Sequence, residues 1–191
     1  HVFAFALNLL SFFRLGARNI LMPSPRPPGN LKRAFENYEI TWLTGVNTLF
    51  AALLKERWFN DRPPPHLRAS AAGGMALHTS VAKQWRELVG SPIVEGYGLT
   101  ETSPVITFNP LDGSAKNGTI GTPAPSTHAK CVDEDGNEVP VGEPGELVAT
   151  GPQIMAGYWN QTEETAATIV DGWLYTGDVA EMDAEGFFTI V

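Results

Sequence analysis

Ten consecutive residues carry the densest chemistry in the chain: Ile93-Val94-Glu95-Gly96-Tyr97-Gly98-Leu99-Thr100-Glu101-Thr102. An apolar run from Pro92 reads as a strand and breaks at two glycines that flank a tyrosine. Gly96 and Gly98 let the backbone turn sharply and approach a ligand closely. Tyr97 offers a flat face for a ring. The Thr100 hydroxyl can hydrogen-bond a phosphate oxygen, and the Glu101 carboxylate can hold a hard cation such as Mg²⁺. These are the groups that bind a metal-complexed nucleotide at the end of a strand. Plainer readings stand beside them: Thr100 as a helix N-cap, Glu101 as a solvated surface acid, Tyr97 as a core aromatic.

The elements that must position this stretch follow from periodicity. Residues 2–13 are mostly apolar and read as a buried helix. They are fewer than the roughly 20 that a bilayer requires and lack the basic start of a signal peptide. Residues 19–23 read as a short strand, and the prolines between 23 and 28 as a loop. Asn30 is a candidate N-cap for a helix to Tyr38, with Leu31, Ala34, Phe35 and Tyr38 on one face. Residues 41–43 read as a strand. Asn47 then caps a helix that turns Leu49, Phe50, Leu53 and Leu54 inward. Residues 67–72 form a strand running into Gly73-Gly74. Thr79 caps a helix to Val89, with Val81, Ala82, Trp85, Leu88 and Val89 inward and Gly90 as its stop. Strand and helix therefore alternate through residues 1–108, the pattern of an α/β fold with a parallel sheet and ligands at the strand C-termini.

Residues 109–191 have a different texture. Strand candidates at 129–133 and 145–150 are divided by turn signals at Asp135-Gly136 and Glu143-Pro144-Gly145, which suggests a small antiparallel sheet or barrel. Thr162 starts a short helix, with Glu163 and Glu164 complementing its dipole and Asp171-Gly172 ending it. Residues 173–178 and 187–191 read as strands paired around a turn at Asp183-Glu185-Gly186.

Two further motifs, Gly73-Gly74-Met75-Ala76-Leu77 and Gly172-Trp173-Leu174-Tyr175-Thr176-Gly177-Asp178, complete a set. With Thr44-Gly45-Val46-Asn47-Thr48-Leu49-Phe50, residues 121–127, Asp135-Gly136-Asn137-Glu138-Val139-Pro140 and Gly157-Tyr158-Trp159, the chain resembles the adenylate-forming superfamily. That superfamily holds acyl-CoA synthetases, peptide-synthetase adenylation domains and beetle luciferases, and the nearest likeness is to bacterial long-chain fatty acyl-CoA synthetases. The resemblance implies the later half of a parallel α/β subdomain followed by a distorted antiparallel β-barrel. It also implies a chemistry in which a fatty acid carboxylate attacks the α-phosphate of Mg·ATP and coenzyme A then takes the acyl group from the adenylate. Thr100 and Glu101 correspond to the family's catalytic pair: Thr100 on the α-phosphate, Glu101 on Mg²⁺. Tyr97 corresponds to the residue against adenine, within Gly96-Tyr97-Gly98. Asp178 corresponds to the acid that accepts both ribose hydroxyls. Gly73 and Gly74 lie between adenine and acyl chain, and relatives often carry Pro where Ala76 stands. The implied acyl contacts are His1, Gly45, Val46, Gly73, Met75 and Thr102, with small residues leaving room for an alkyl chain. His1 opens the sequence, so a frayed end fits it equally.

The chain lacks an initiator Met and ends within an apolar run, so it reads as a piece of a longer protein. The family's phosphate loop would precede His1. Its hinge and its Lys-bearing C-terminal domain would follow Val191, and the piece alone is expected not to turn over. The whole enzyme is expected to be cytoplasmic, with peripheral association at the inner face of the membrane, and its oligomeric state, with a homodimer among the options, is left open by the sequence. Two other readings remain: a ligase for an aryl, short-chain or amino acid, and a non-catalytic nucleotide-binding module.

The net charge of -8 is uneven: residues 1–90 carry 11 Lys+Arg against 5 Asp+Glu, residues 91–191 carry 2 against 16. No basic cluster is interleaved with aromatics, which argues against nucleic acid. The lone Cys131 permits no internal disulfide and suits a reducing cytoplasm. Its strand-like setting makes it a packed thiol. His66, His78 and His128 lack metal-ligand spacing and read as structural or surface residues.

Overall fold

Short parallel strands organise the first half of the chain. The computed structural model describes residues 2–191, which divide into two units, Phe3–Glu95 and Gly96–Val191.

The first unit begins helically, as expected. Helix α1 (Val2–Ala4) widens into a π-helix, Phe5–Phe12, and the Ser11 hydroxyl bonds the Ala6 carbonyl five residues back at 3.0 Å. None of these helical residues is buried, which corrects the expectation of a buried helix. The segment is mostly apolar and its packing is partial: Phe12 meets Trp42 edge-on at 5.2 Å, and the Thr44 hydroxyl donates to Asn8 at 2.6 Å. Residues 19–23 form no strand; Pro23 has no N–H for a ladder. Asn30 does not cap. Its side-chain amide donates to the Ser24 and Arg26 carbonyls at 3.2 and 3.1 Å, closing the proline loop. Pro28 instead opens a 3₁₀ turn, Pro28–Leu31, that leads into α2 (Lys32–Asn37). Leu31 and Ala34 are buried, but Tyr38 lies beyond the helix in extended backbone and is 45% exposed.

Strand β1 (Trp42–Gly45) is followed by α3 (Asn47–Leu53) and α4 (Arg57–Asp61), then β2 (Ala69–Ala72), α5 (Thr79–Val89) and β3 (Ile93–Tyr97). The strands are parallel, Gly45 opposite Ala72 and Ala72 opposite Glu95. Every residue of β2 is buried, as expected of a strand covered on both faces. The core is Phe50, Leu53, Phe59 and Trp85, all fully buried; Trp85 lies 5.0 Å from Phe50 and 5.3 Å from Phe59. Two predicted caps are displaced. Asn47 is the first helical residue, and its side chain accepts the His78 N–H at 3.0 Å. Thr79 is likewise inside α5, whose N-cap is His78. Gly90 does stop α5, left-handed at φ 76.

In the second unit, the end of β3 pairs antiparallel with β4 (Thr107–Phe108), and β4 with β5 (Thr122–Pro123). The main sheet holds β6 (His128–Val132), β7 (Gly145–Thr150), β8 (Ile169–Val170), β9 (Trp173–Met182) and β10 (Phe188–Ile190), with α6 (Thr162–Thr168) before β8. Its order is β10-β9-β7-β6, with β8 on β9, all antiparallel. A register irregularity between Glu146 and Val148 bends the sheet, giving a curled half-barrel. Asp171-Gly172 does not end α6. Both residues have positive φ (51 and 82) and turn the β8–β9 hairpin, the geometry such tight turns require. Cys131, Leu147, Ala180 and Phe188 form the core. Burial, then Glu138 and Glu181, push the Cys131 thiol up to about 11.

Candidate functional site

The residues that the sequence singles out divide between the two units, and each group is built within its own.

In the second unit, β3 delivers Tyr97, half-buried at the margin of the core. Its hydroxyl donates to Asp178 Oδ2 on β9, 81 residues on. Burial first, and then this bond, raise the phenol far above its usual range, so it remains a donor. Asp178 sits where residues 176–178 face Leu147 alone, between the pairs Val148–Tyr175 and Glu146–Val179. The Asp178 N–H donates to the Thr176 hydroxyl at 3.2 Å, and that hydroxyl donates to the Leu147 carbonyl at 2.7 Å. The Gly177 N–H donates to Glu146 Oε1 at 2.9 Å. The irregular ladder thus leaves backbone donors that side chains satisfy, and these fix the carboxylate.

Gly98 is required by close approach: a Cβ there would lie 2.0 Å from the Pro104 carbonyl oxygen. The next turn, Thr100–Thr102, is a 3₁₀ helix with Leu99 at its N-cap position. Thr102 ties it down, its hydroxyl accepting the Leu99 N–H at 2.9 Å and donating to the Leu99 carbonyl at 3.0 Å. The N-cap reading of Thr100 therefore falls. Thr100 is exposed, and its hydroxyl has no hydrogen-bond partner among the described residues. Thr102 is fully buried and committed to that backbone. Glu101 is half-exposed; its Oε1 accepts the Tyr158 hydroxyl at 2.8 Å, and its carbonyl accepts the Met155 N–H at 2.8 Å.

In the first unit, Gly73 follows β2, and its N–H lies 3.4 Å from the Gly45 carbonyl. Gly74 is left-handed at φ 77 and exposed; Met75 is 53% exposed. The loop is pinned where it enters α5: the Leu77 N–H donates to Glu95 Oε2 at 2.9 Å, and Glu95 is itself buried. Gly45 and Val46 are half-buried at the C-terminal end of β1. The room expected beside the glycines is already taken. A Cβ on Gly73 would meet the Phe3 ring at 3.0 Å, and one on Gly45 would meet Leu49 and Phe50 at 3.1 Å. His1 lies outside the described residues.

A cavity of about 360 Å³ in the second unit is lined by Tyr158, Trp159, Thr162 and Thr165, among others. The about 200 Å³ cavity of the first unit, at Phe35, Trp58 and His66, contains none of the motif residues.

Among the described residues no group of three or more His, Cys, Asp or Glu could hold a metal ion. That donor set fits Mg²⁺ of one kind only: an ion carried largely by phosphate oxygens and water, with a single carboxylate completing its shell. Glu101 is half-exposed with Oε2 unpartnered among the described residues, which suits that role.

Sequence reasoning missed three partners. Glu95, Tyr158 and Thr176 all lie inside motifs that were read, yet the groups that they hold are 18, 57 and 29 residues away. No local pattern marks such pairings.

The profile of the family described as AMP-binding enzyme matches residues 1–159. The long-chain-fatty-acid–CoA ligase of Escherichia coli O6:H1 is 48% identical over all 191 residues, which cover 34% of that protein. The crystal structure of the anthranilate CoA ligase AuaEII with anthranoyl-AMP superposes with a TM-score of 0.85 at 28% identity, covering 92% of this chain and 34% of that one. ATP-bound MatB from Rhodopseudomonas palustris gives 0.87 at 30% identity, covering 98% and 37%. The chain therefore spans about a third of the length of these relatives.

Proposed function

The chain belongs to the AMP-binding enzyme family, and from that premise we propose that it is part of a ligase that activates long-chain fatty acids through an acyl-adenylate. The observation that carries the choice of acid is the 48% identity, over the whole chain, to a protein named long-chain-fatty-acid–CoA ligase. The geometry is consistent with it.

The fatty acid carboxylate attacks the α-phosphorus of ATP, and pyrophosphate leaves. The thiol of coenzyme A then attacks the acyl carbon, and AMP leaves. Both partners in the first step are anionic, so positioning and charge neutralisation supply much of the rate. Thr100, exposed and without a hydrogen-bond partner among the described residues, donates its hydroxyl to an α-phosphate oxygen. Glu101 would hold Mg²⁺, which would supply neutralisation of phosphate charge. Asp178, with Oδ2 held by Tyr97, keeps Oδ1 for a ribose hydroxyl. The Tyr97 ring lies against adenine. Gly73 and Gly74 present backbone to the base, and Gly45, Val46, Gly73 and Met75 belong to the acyl side. Functionally we assign residues 1–108 to acyl and adenine contacts and 109–191 to the ribose strand. The whole enzyme associates peripherally with the inner membrane face, because its substrate partitions into lipid; no helix of the described residues is long and apolar enough to cross a membrane.

A second reading, another carboxylic acid, is favoured by the anthranilate ligase among the superposed structures. ATP–pyrophosphate exchange by the full-length polypeptide containing this segment separates the two. Palmitate is expected to support exchange more than tenfold above benzoate, acetate or amino acids at equal concentration, about 1.4 kcal/mol in transition-state binding. Preference for an aryl or short acid would transfer the assignment.

A further inference from the structure

Gly157-Tyr158-Trp159 has no part in the chemistry described so far. Its segment meets Glu101 twice: the Met155 N–H donates to the Glu101 carbonyl and the Tyr158 hydroxyl to Glu101 Oε1, each at 2.8 Å. The tyrosine is held in turn. Its N–H donates to the Thr165 hydroxyl at 2.9 Å, and that hydroxyl donates to the Gln161 carbonyl at 2.7 Å in the first turn of α6. Gly157 makes this approach feasible, since a Cβ there would lie 2.7 Å from Thr165 Cγ2. The loop and α6 are thus stitched together behind one phenol.

A half-exposed glutamate on a short 3₁₀ turn would otherwise sample several rotamers. One hydrogen bond selects an orientation, occupies Oε1 and leaves Oε2 without a partner among the described residues. The donor is neutral, so the carboxylate keeps its full charge; Lys or Arg at the same place would cancel it.

We propose that Tyr158 is a positioning residue that presents Glu101 Oε2 to the cation of Mg·ATP. The proposal rests on the assignment of Glu101 to the metal. The carboxylate meets the cation already oriented, so less rotamer freedom is lost on binding.

Two measurements test it. The first needs no nucleotide: the four tyrosines are titrated by ultraviolet absorbance in the wild-type chain and in Glu101→Gln. One phenol is expected to titrate at lower pH in the variant. Superimposable curves would overturn the contact itself. The second is calorimetric titration of ATP, with Mg²⁺ and with EDTA, into the wild type, Tyr158→Phe, Glu101→Gln and Trp159→Phe. Trp159 is 89% exposed and serves as the control. Tyr158→Phe is expected to weaken Mg·ATP about fivefold to tenfold, the effect of one hydrogen bond, and to leave metal-free ATP and the control unchanged. A loss of equal size in EDTA would reduce Tyr158 to a structural role. Wild-type affinity in Tyr158→Phe, with a loss in Glu101→Gln, would overturn the positioning proposal and keep the metal assignment. Wild-type affinity in Glu101→Gln would remove the metal assignment as well.

Discussion

The two units solve the same problem, holding chemical groups in place, by different means. In Phe3–Glu95 the implied contacts are backbone and small residues, fixed by apolar packing: Gly73 against Phe3, Gly45 against Leu49 and Phe50. In Gly96–Val191 they are polar side chains, each fixed by another polar side chain: Asp178 by Tyr97, Glu101 by Tyr158. Packing is non-directional and spreads its energy over many atoms. Hydrogen-bonded carboxylates are local, directional and sensitive to charge. The first unit should therefore fail globally when its core is cut. The second should lose binding while it stays folded.

The largest effect sharpens the first half of that contrast. Trp85→Ala removes a fully buried indole between Phe50 and Phe59 and is expected to destabilise by about 3–5 kcal/mol in urea unfolding. A loss under 1 kcal/mol would break the claim that packing holds this unit. Next comes Gly98→Ala, which forces a Cβ to within 2.0 Å of the Pro104 carbonyl and is expected to cost about 1–3 kcal/mol by the same measurement. Wild-type stability would mean that the turn can relax. The second unit's core gives a smaller, pH-dependent effect. The folded Cys131 thiol titrates at about 11, above its ordinary 9.0. Its contribution to stability is thus complete below about pH 9 and lost as pH rises towards 11. Cys131→Ala should flatten the decline in melting temperature over that window, and an unchanged slope would remove the thiol as its cause.

Much of the first unit was legible in sequence, because its helices bury one face at a 3.6-residue period and its strands run into glycines. The caps were not. Asn30 and Asn47 look like local N-caps, yet each is recruited elsewhere, Asn30 by the proline loop and Asn47 by His78, 31 residues on. The exposure of the first helix escaped for a related reason: a segment that is mostly apolar does not say how much of it is packed. In the second unit, turn signals located β6, β7 and β10 to within a few residues, but β9 runs past its motif to Met182, because its last residues pair with β7 and β10. Of the candidate site, residue types were readable and pairings were not. Tyr97 and Asp178 are 81 residues apart on strands of two different sheets, and no local pattern marks their contact.

The most direct measurement is calorimetric binding of alkyl-adenylate analogues, long-chain and acetyl-sized, to the folded 191-residue chain and to Asp178→Ala. The expected result is affinity that rises with alkyl length, by up to about 0.8 kcal/mol per buried methylene. It should fall about tenfold to a hundredfold in the variant, as loss of a charge-assisted hydrogen bond implies. Affinity that ignores both the tail and Asp178 would contradict an adenylate site built from these residues.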